Sequence, residues 1–191
     1  MKVAVFTGIR DLEVCERPMP VLERPGDVLL QIETVGVCGS DIHYYKEGRI
    51  GGQVIEHPAT LGHECAGTVV EVGSVVAGLE AGQRVAIDPA ISCGQCDQCQ
   101  QGRAHTCRNL QFLGCPGQAP GAATEYITIA AESCYPIPDS MTMVQAALVE
   151  PLSVGIHAVR LAEMQPGGAV AVLGSGPIGL SVLLAVGALC P

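Results

Sequence analysis

Residues 58–73 read PATLGHECAGTVVEVG, and this stretch decides the fold. Its second half is a short β-branched run in which Val69, Val70 and Val72 lead into a turn at Gly73. Valine and threonine suit a pleated strand because their branched side chains are stiff at χ1, and glycine closes the run. Working outward, runs of the same texture recur as KVAVF (2–6), DVLLQIETVGV (27–37), QRVAID (83–88) and TEYITI (124–129). Gly, Pro, Asp and Asn separate them, as at Pro25-Gly26-Asp27. The spacing predicts an all-β, partly open barrel with long functional loops from Met1 to about Pro138.

The texture changes after Asp139-Ser140. Met143, Ala146, Ala147, Glu150, Val154, His157, Ala158 and Leu161 recur at spacings of three and four, which predicts a helix with Ser140 or Thr142 as its N-cap. Pro151 interrupts the pattern and predicts a kink or two abutting helices. A turn at Gln165-Pro166-Gly167-Gly168 then precedes a strand over Ala169–Leu173, the loop Gly174-Ser-Gly-Pro-Ile-Gly179 and a second helix. These signals divide the chain into a domain over 1–150 and the start of another over 151–191.

Composition removes several function classes. Hydrophobic residues make up 48% and charged residues 15% of the 191, with 24 Gly and 13 Pro, as in a turn-rich globular protein. A formal charge of −9 and the lack of any Lys/Arg cluster leave no footprint for nucleic acid or acidic lipid. Met164 to Pro191 contains no charged residue, but Gly174, Ser175, Gly176 and Pro177 break it well short of the ~20 apolar residues of a membrane span. The N-terminal apolar run is only Val3 to Phe6, too short for a secretory signal, so a reducing cytoplasm is the expected location. In that compartment ten cysteines point to metal or catalysis rather than to disulfides.

Cys93, Cys96, Cys99 and Cys107 follow C-x2-C-x2-C-x7-C. Four thiolates from one short loop suit a closed tetrahedral zinc site whose role is to fold the loop. Asp97, Gln95, Gln98, Gln100 and Gln101 stand where a nucleic-acid-binding finger needs lysine and arginine. A second set, Cys38, His63, Glu64 and Glu150, is scattered, each member beside glycine or proline. A catalytic zinc takes a few protein ligands plus an open position, and a mixed Cys/His/Glu set can supply them. By residue type alone, ordinary buried side chains remain an equal reading. His57, His105 and His157 fit neither set, and Cys15, Cys65, Cys115, Cys134 and Cys190 read as small buried residues.

Val37-Cys-Gly-Ser-Asp-Ile-His-Tyr-Tyr45 with Gly48-Arg-Ile-Gly51, Pro58 to Gly67, the four-cysteine lobe and Glu150-Pro-Leu152 together resemble the zinc-dependent medium-chain alcohol dehydrogenase family, in its sorbitol/xylitol branch. The resemblance runs in order over essentially the whole chain. It implies a GroES-like catalytic barrel followed by the first βα unit of a Rossmann doubly wound domain. It also implies that Cys38, His63 and a glutamate hold a catalytic zinc. That glutamate is Glu64, with Glu150 toward the open position, or the two are exchanged, since related enzymes shuffle them. Ser40 and His43 would form a proton relay, and Tyr44 would face the substrate.

Gly174, Gly176, Pro177, Ile178 and Gly179 form a glycine-rich turn between a predicted strand and a predicted helix, where a dinucleotide pyrophosphate sits over the helix N-terminus. The acidic residue that distinguishes NAD from NADP is expected ~20 residues beyond the first glycine, past Pro191. The expected function is therefore oxidation of a secondary alcohol or small polyol with NAD or NADP, in an enzyme that forms homo-oligomers. Two other readings stay open: a zinc-binding domain truncated before its cofactor half and inactive alone, with its last strand and helix exposed, or a relative of threonine dehydrogenase.

Overall fold

The computed structural model describes residues 1–164 and 167–190, and two residues of the expected turn at Gln165-Pro166-Gly167-Gly168 lie outside them. The chain divides into two compact units, Met1–Ala147 and Leu148–Pro191.

The first unit opens with β1 (Lys2–Gly8) and β2 (Asp11–Glu16), an antiparallel hairpin, followed by β3 (Asp27–Val35) and helix α1 (Gly39–Glu47). The short pair β4 (Arg49–Ile50) and β5 (Gln53–Val54) precedes β6 (Cys65–Val72) and β7 (Arg84–Ile87). After β8 (Ala90–Ile91) comes a lobe with one helical turn, α2 (Asp97–Gln100), and β9 (Gln111–Phe112) returns to pair with β8. β10 (Tyr126–Ala130), β11 (Cys134–Pro136) and α3 (Met143–Ala147) complete the unit.

Five strands form one sheet in the order β10-β3-β6-β7-β11, every neighbour antiparallel. The sheet, expected as a partly open barrel, does not close among the described residues, and β10 and β11 are its edges. Val28, Leu30, Val69, Val85, Ile127 and Ile129 build the core on it. Val28, Leu30 and Val85 are fully buried, worth roughly 1.5–3 kcal/mol each in removal of apolar surface from water. The ladder between β3 and β6 shifts register between Ile32 and Thr34, a bulge beside the end of β3. Bulges re-aim the residues that follow them, and here the chain goes on to Gly36 and Cys38.

Thr142 caps α3: its Oγ1 accepts the Gln145 N–H at 3.2 Å while Gln145 Oε1 accepts the Thr142 N–H at 2.8 Å. Of the kink or two abutting helices expected around Pro151, two helices form. The break falls at Leu148, and Pro151 sits in the first turn of α4 (Val149–Leu161), where no N–H partner is lost.

In the second unit α4 packs on α5 (Pro177–Leu189), with Gly155 so close to Ser181 that a Cβ there would lie 2.5 Å from the Ser181 carbonyl carbon. The strand expected over Ala169–Leu173 does not form, because a strand exists only where a neighbour completes its hydrogen bonds. Leu173 is 99% exposed, and Leu180, Leu183 and Leu184 on α5 are also exposed. No helix among the described residues is long and apolar enough to cross a membrane.

Candidate functional site

The four-cysteine lobe departs from β8 and returns through β9, and its cysteines converge. Their Sγ atoms all lie within 4.8 Å of one another, with Cys96–Cys99 at 3.5 Å, Cys96–Cys107 at 3.9 Å and Cys93–Cys99 at 4.0 Å. Zinc–sulfur bonds of ~2.3 Å in a tetrahedron set sulfurs ~3.8 Å apart, so the donor set fits that ion. The backbone N–H groups of Cys93 and Asn109 both point at Cys107 Sγ, at 3.2 and 3.4 Å.

These thiols are electrostatically unlike. Backbone amides of Arg108 and Cys99 hold Cys96 down to about 6, whereas burial and the neighbouring Cys96 thiol push Cys99 up to about 11. Four sulfurs this close cannot all ionise without a cation among them, and metal binding is thereby coupled to proton release.

The second cluster joins two loops. Cys38 immediately precedes α1, and His63 and Glu64 lie in the segment that enters β6. The donor atoms of Cys38, His63 and Glu64 lie within 4.8 Å of one another. His63 and Glu64 are buried, at 8% and 9% exposure, while Cys38 is half-buried. Gly36 makes the approach possible: its N–H donates to the Glu64 carbonyl at 2.6 Å, and a Cβ on it would stand 2.9 Å from Glu64 Cβ and collide with the carboxylate. Phe112 meets the His63 ring edge-on at 5.4 Å and limits its rotation.

Asp41 lies behind this cluster and is itself buried at 7%. One carboxylate oxygen accepts the Cys38 N–H at 2.9 Å, and the other accepts the Gly62 N–H at 3.3 Å. The second oxygen also stands 3.9 Å from His63 Nδ1, an ionic approach longer than a hydrogen bond. Among the described residues neither Asp41 nor Glu64 pairs with a lysine or arginine. Two buried carboxylates beside a thiol and an imidazole, with no lysine or arginine paired to them, form a donor set that a divalent cation would suit.

Ser40 lies half-buried in the first turn of α1, and His43 stands three residues on, exposed, with Nδ1 3.7 Å from Glu47 Oε1. Tyr44, expected at the substrate, is only 4% exposed and packs with Ile55 and Leu61. Its hydroxyl donates to Gln53 Oε1 at 2.8 Å, and burial raises its pKa. Tyr44 is thus held as a core aromatic. Glu150 is the second residue of α4, in the other unit, and is half-buried.

Gly176 is the N-cap of α5 and Pro177 its first residue, with Ile178 and Gly179 in the same turn. Gly179 cannot carry a side chain, since a Cβ would collide with the Gly174 carbonyl oxygen. The glycine-rich loop leads directly into α5, with no strand assigned over 169–173.

Residues 24–139 match the family model described as the alcohol dehydrogenase GroES-like domain. The chain is 44% identical over 185 residues to a sorbitol dehydrogenase of Bacillus subtilis, covering 97% of this chain and 52% of that protein. It superposes on galactitol-1-phosphate dehydrogenase from Escherichia coli with a TM-score of 0.90 at 32% identity, covering 99% of this chain and 53% of that one. A further Escherichia coli alcohol dehydrogenase, solved in complex with NADH, gives a TM-score of 0.88 at 30% identity over 100% of this chain and 54% of that one. The chain spans about half the length of the curated relatives it matches.

Proposed function

Because the chain belongs to the alcohol dehydrogenase GroES-like domain family, we propose that it is the zinc-binding catalytic portion of an enzyme that oxidises a secondary alcohol or polyol, such as sorbitol or xylitol, to the ketone with NAD or NADP. The observation that carries this reading is the meeting of Cys38, His63 and Glu64 within 4.8 Å. A thiolate, an imidazole and a carboxylate make three ligands and leave a position for a substrate oxygen.

A zinc held there would supply Lewis acidity toward a substrate hydroxyl, and a nicotinamide cofactor would supply the hydride acceptor. The chain's own residues have the remaining tasks. Cys38, His63 and Glu64 hold the metal, and Glu150 is the carboxylate assigned to the substrate side or to exchange with Glu64. The Ser40 hydroxyl accepts the proton leaving the substrate as it gives up its own. His43, three residues on and hence on the same face of α1, passes it to solvent. Tyr44 serves as a rigid wall, its ring fixed by Ile55 and Leu61. Gly174, Gly176, Pro177, Ile178 and Gly179 receive the pyrophosphate at the N-terminus of α5. Cys93, Cys96, Cys99 and Cys107 hold a second, structural zinc. The whole enzyme is a cytoplasmic homo-oligomer in this reading.

Metal analysis of the purified chain tests the assignment. Two zinc ions per chain are expected, falling to one in Cys38→Ser and to one in Cys107→Ser. Turnover assays with sorbitol, xylitol and threonine, each with NAD and NADP, test the chemistry, with the polyols preferred. A chain that binds zinc only through the four-cysteine lobe contradicts the catalytic reading.

A further inference from the structure

The four-cysteine lobe contains one interaction that its ligand set does not require. Arg108 grips Asp97 with two hydrogen bonds, Nε to Oδ1 at 2.5 Å and Nη2 to Oδ2 at 2.8 Å. Asp97 directly follows Cys96, and Arg108 directly follows Cys107. The fork therefore bridges the same two chain segments that a metal must bridge, and Cys96 Sγ and Cys107 Sγ stand 3.9 Å apart beside it. The backbone amide of Arg108 also faces Cys96 Sγ, so this one residue grips the second ligand segment by backbone and side chain together. Gln98 Nε2 adds a third bond to Asp97 at 2.9 Å, and Gln98 Oε1 accepts from Arg103 and Thr106 across the lobe.

We propose that Asp97 and Arg108 are a positioning pair for the metal lobe, whose two-point ion pair presets the sulfur tetrahedron before zinc enters and slows its departure afterward. This rests on the reading of the lobe as a zinc site. Little else in the lobe can do this, because neither α2 nor the 3-10 turn Ala104–Thr106 contains a buried residue. An isolated exposed ion pair is worth little, but a bidentate arginine–carboxylate fork has the geometry that makes one count.

Electrostatics alone predicts the opposite sign at one of the two positions. Exchanging the protons of the four thiols for one divalent cation takes the cluster to a net charge of −2, so a neighbouring carboxylate disfavours loading and a neighbouring guanidinium favours it. Removing the charge of Asp97 would then tighten zinc, whereas a positioning role makes the same change loosen it. Arg108→Lys keeps the charge but loses the fork, and belongs between wild type and Arg108→Gln.

The test uses the whole 191-residue chain. Cobalt substitution reads the sulfur ligands through thiolate charge-transfer absorption, and transfer of zinc to a chromogenic chelator reads the rate of loss. Asp97→Asn and Arg108→Gln are each expected to release the lobe zinc about three- to tenfold faster, the range of a modest ion pair. The charge-swapped Asp97→Arg/Arg108→Asp chain is expected to recover most of that loss. Both side chains are exposed, Arg108 at 66% and Asp97 at 45%, so the substitutions leave the sheet intact, and release from the Cys38 cluster in the same samples is the internal control. Unchanged or slower release in Asp97→Asn, with a normal cobalt band in wild type, overturns the positioning role alone. Absence of the band in wild type overturns the zinc reading of the lobe and this proposal with it.

Discussion

The Asp41 carboxylate accepts the backbone N–H of Cys38 at 2.9 Å, and through its other oxygen it holds the Gly62 N–H at 3.3 Å. One buried side chain thus fixes the backbone beside two candidate ligands that are far apart in sequence. Asp41→Ala leaves both amides without an acceptor at a 7% exposed position. At ~1–3 kcal/mol for each group left unsatisfied, the chain loses about 2–6 kcal/mol of stability. Urea denaturation measures that loss. Metal analysis should show zinc missing from the Cys38 cluster while the four-cysteine lobe stays loaded, and Asp41→Asn, which keeps one acceptor oxygen, should fall between.

Gly36→Ala is the complementary change. The new methyl meets the Glu64 carboxylate and stands 2.9 Å from Glu64 Cβ, so Glu64 must turn away from Cys38 and His63. The sheet core lies elsewhere, on Val28, Leu30, Val69 and Val85, and should be little affected. The expected result is one zinc ion lost per chain at a nearly unchanged melting temperature. Retention of both ions would show that Glu64 is dispensable as a ligand and return the role to Glu150.

Much of this site was legible in the sequence, and what was not has physical causes. β6 (Cys65–Val72) and β3 (Asp27–Val35) announce themselves through β-branched runs long enough to show a pattern. The two-residue strands β4, β5, β8 and β9 are too short for any periodicity. The four cysteines are legible because their spacing is itself the constraint. Asp41 carried no such signal, since its partner Gly62 is brought to it only by the tertiary fold. The missing strand at Ala169–Leu173 reflects the same limit from the other side: apolar β-branched residues record a preference, but the ladder needs a neighbour. The packing of Tyr44 against Ile55 and Leu61 was not legible either, since those partners come from later in the chain.

Thiol labelling should sort the cysteines by environment. The reactive species is the thiolate, so a lowered pKa raises reactivity at neutral pH and a raised one suppresses it. Cys96, held down to about 6, is largely ionised above that pH in the metal-free chain, whereas burial pushes Cys134 up to about 12. Alkylation of metal-free protein at neutral pH, followed by peptide mapping, should modify Cys96 early and leave Cys134 unmodified until the chain unfolds. Zinc should protect Cys96 without changing Cys134. Early labelling of Cys134 would contradict its burial.

Metal removal should act on the lobe and spare the sheet. The lobe between β8 and β9 contributes no residue to the sheet's main hydrophobic core, and its α2 turn and 3-10 turn bury nothing. Sulfur ligation, the Asp97–Arg108 fork and the Gln98 bonds to Arg103 and Thr106 are what hold it, and exposed polar contacts hold a loop weakly without the metal. Arg103 and Arg108 are the trypsin sites in this segment, both exposed at the surface of the lobe or its base. In the zinc-loaded chain both should resist cleavage, because a protease needs the backbone locally unfolded. After chelation the first cut should fall after Arg103 or Arg108. Amide protection at Leu30, Val69 and Val85 in the sheet core should persist under the same conditions. Mass spectrometry of timed digests checks the order of cuts. If β3 or β6 exchanges or is cleaved as early as the lobe, the metal supports the whole unit rather than one loop of it.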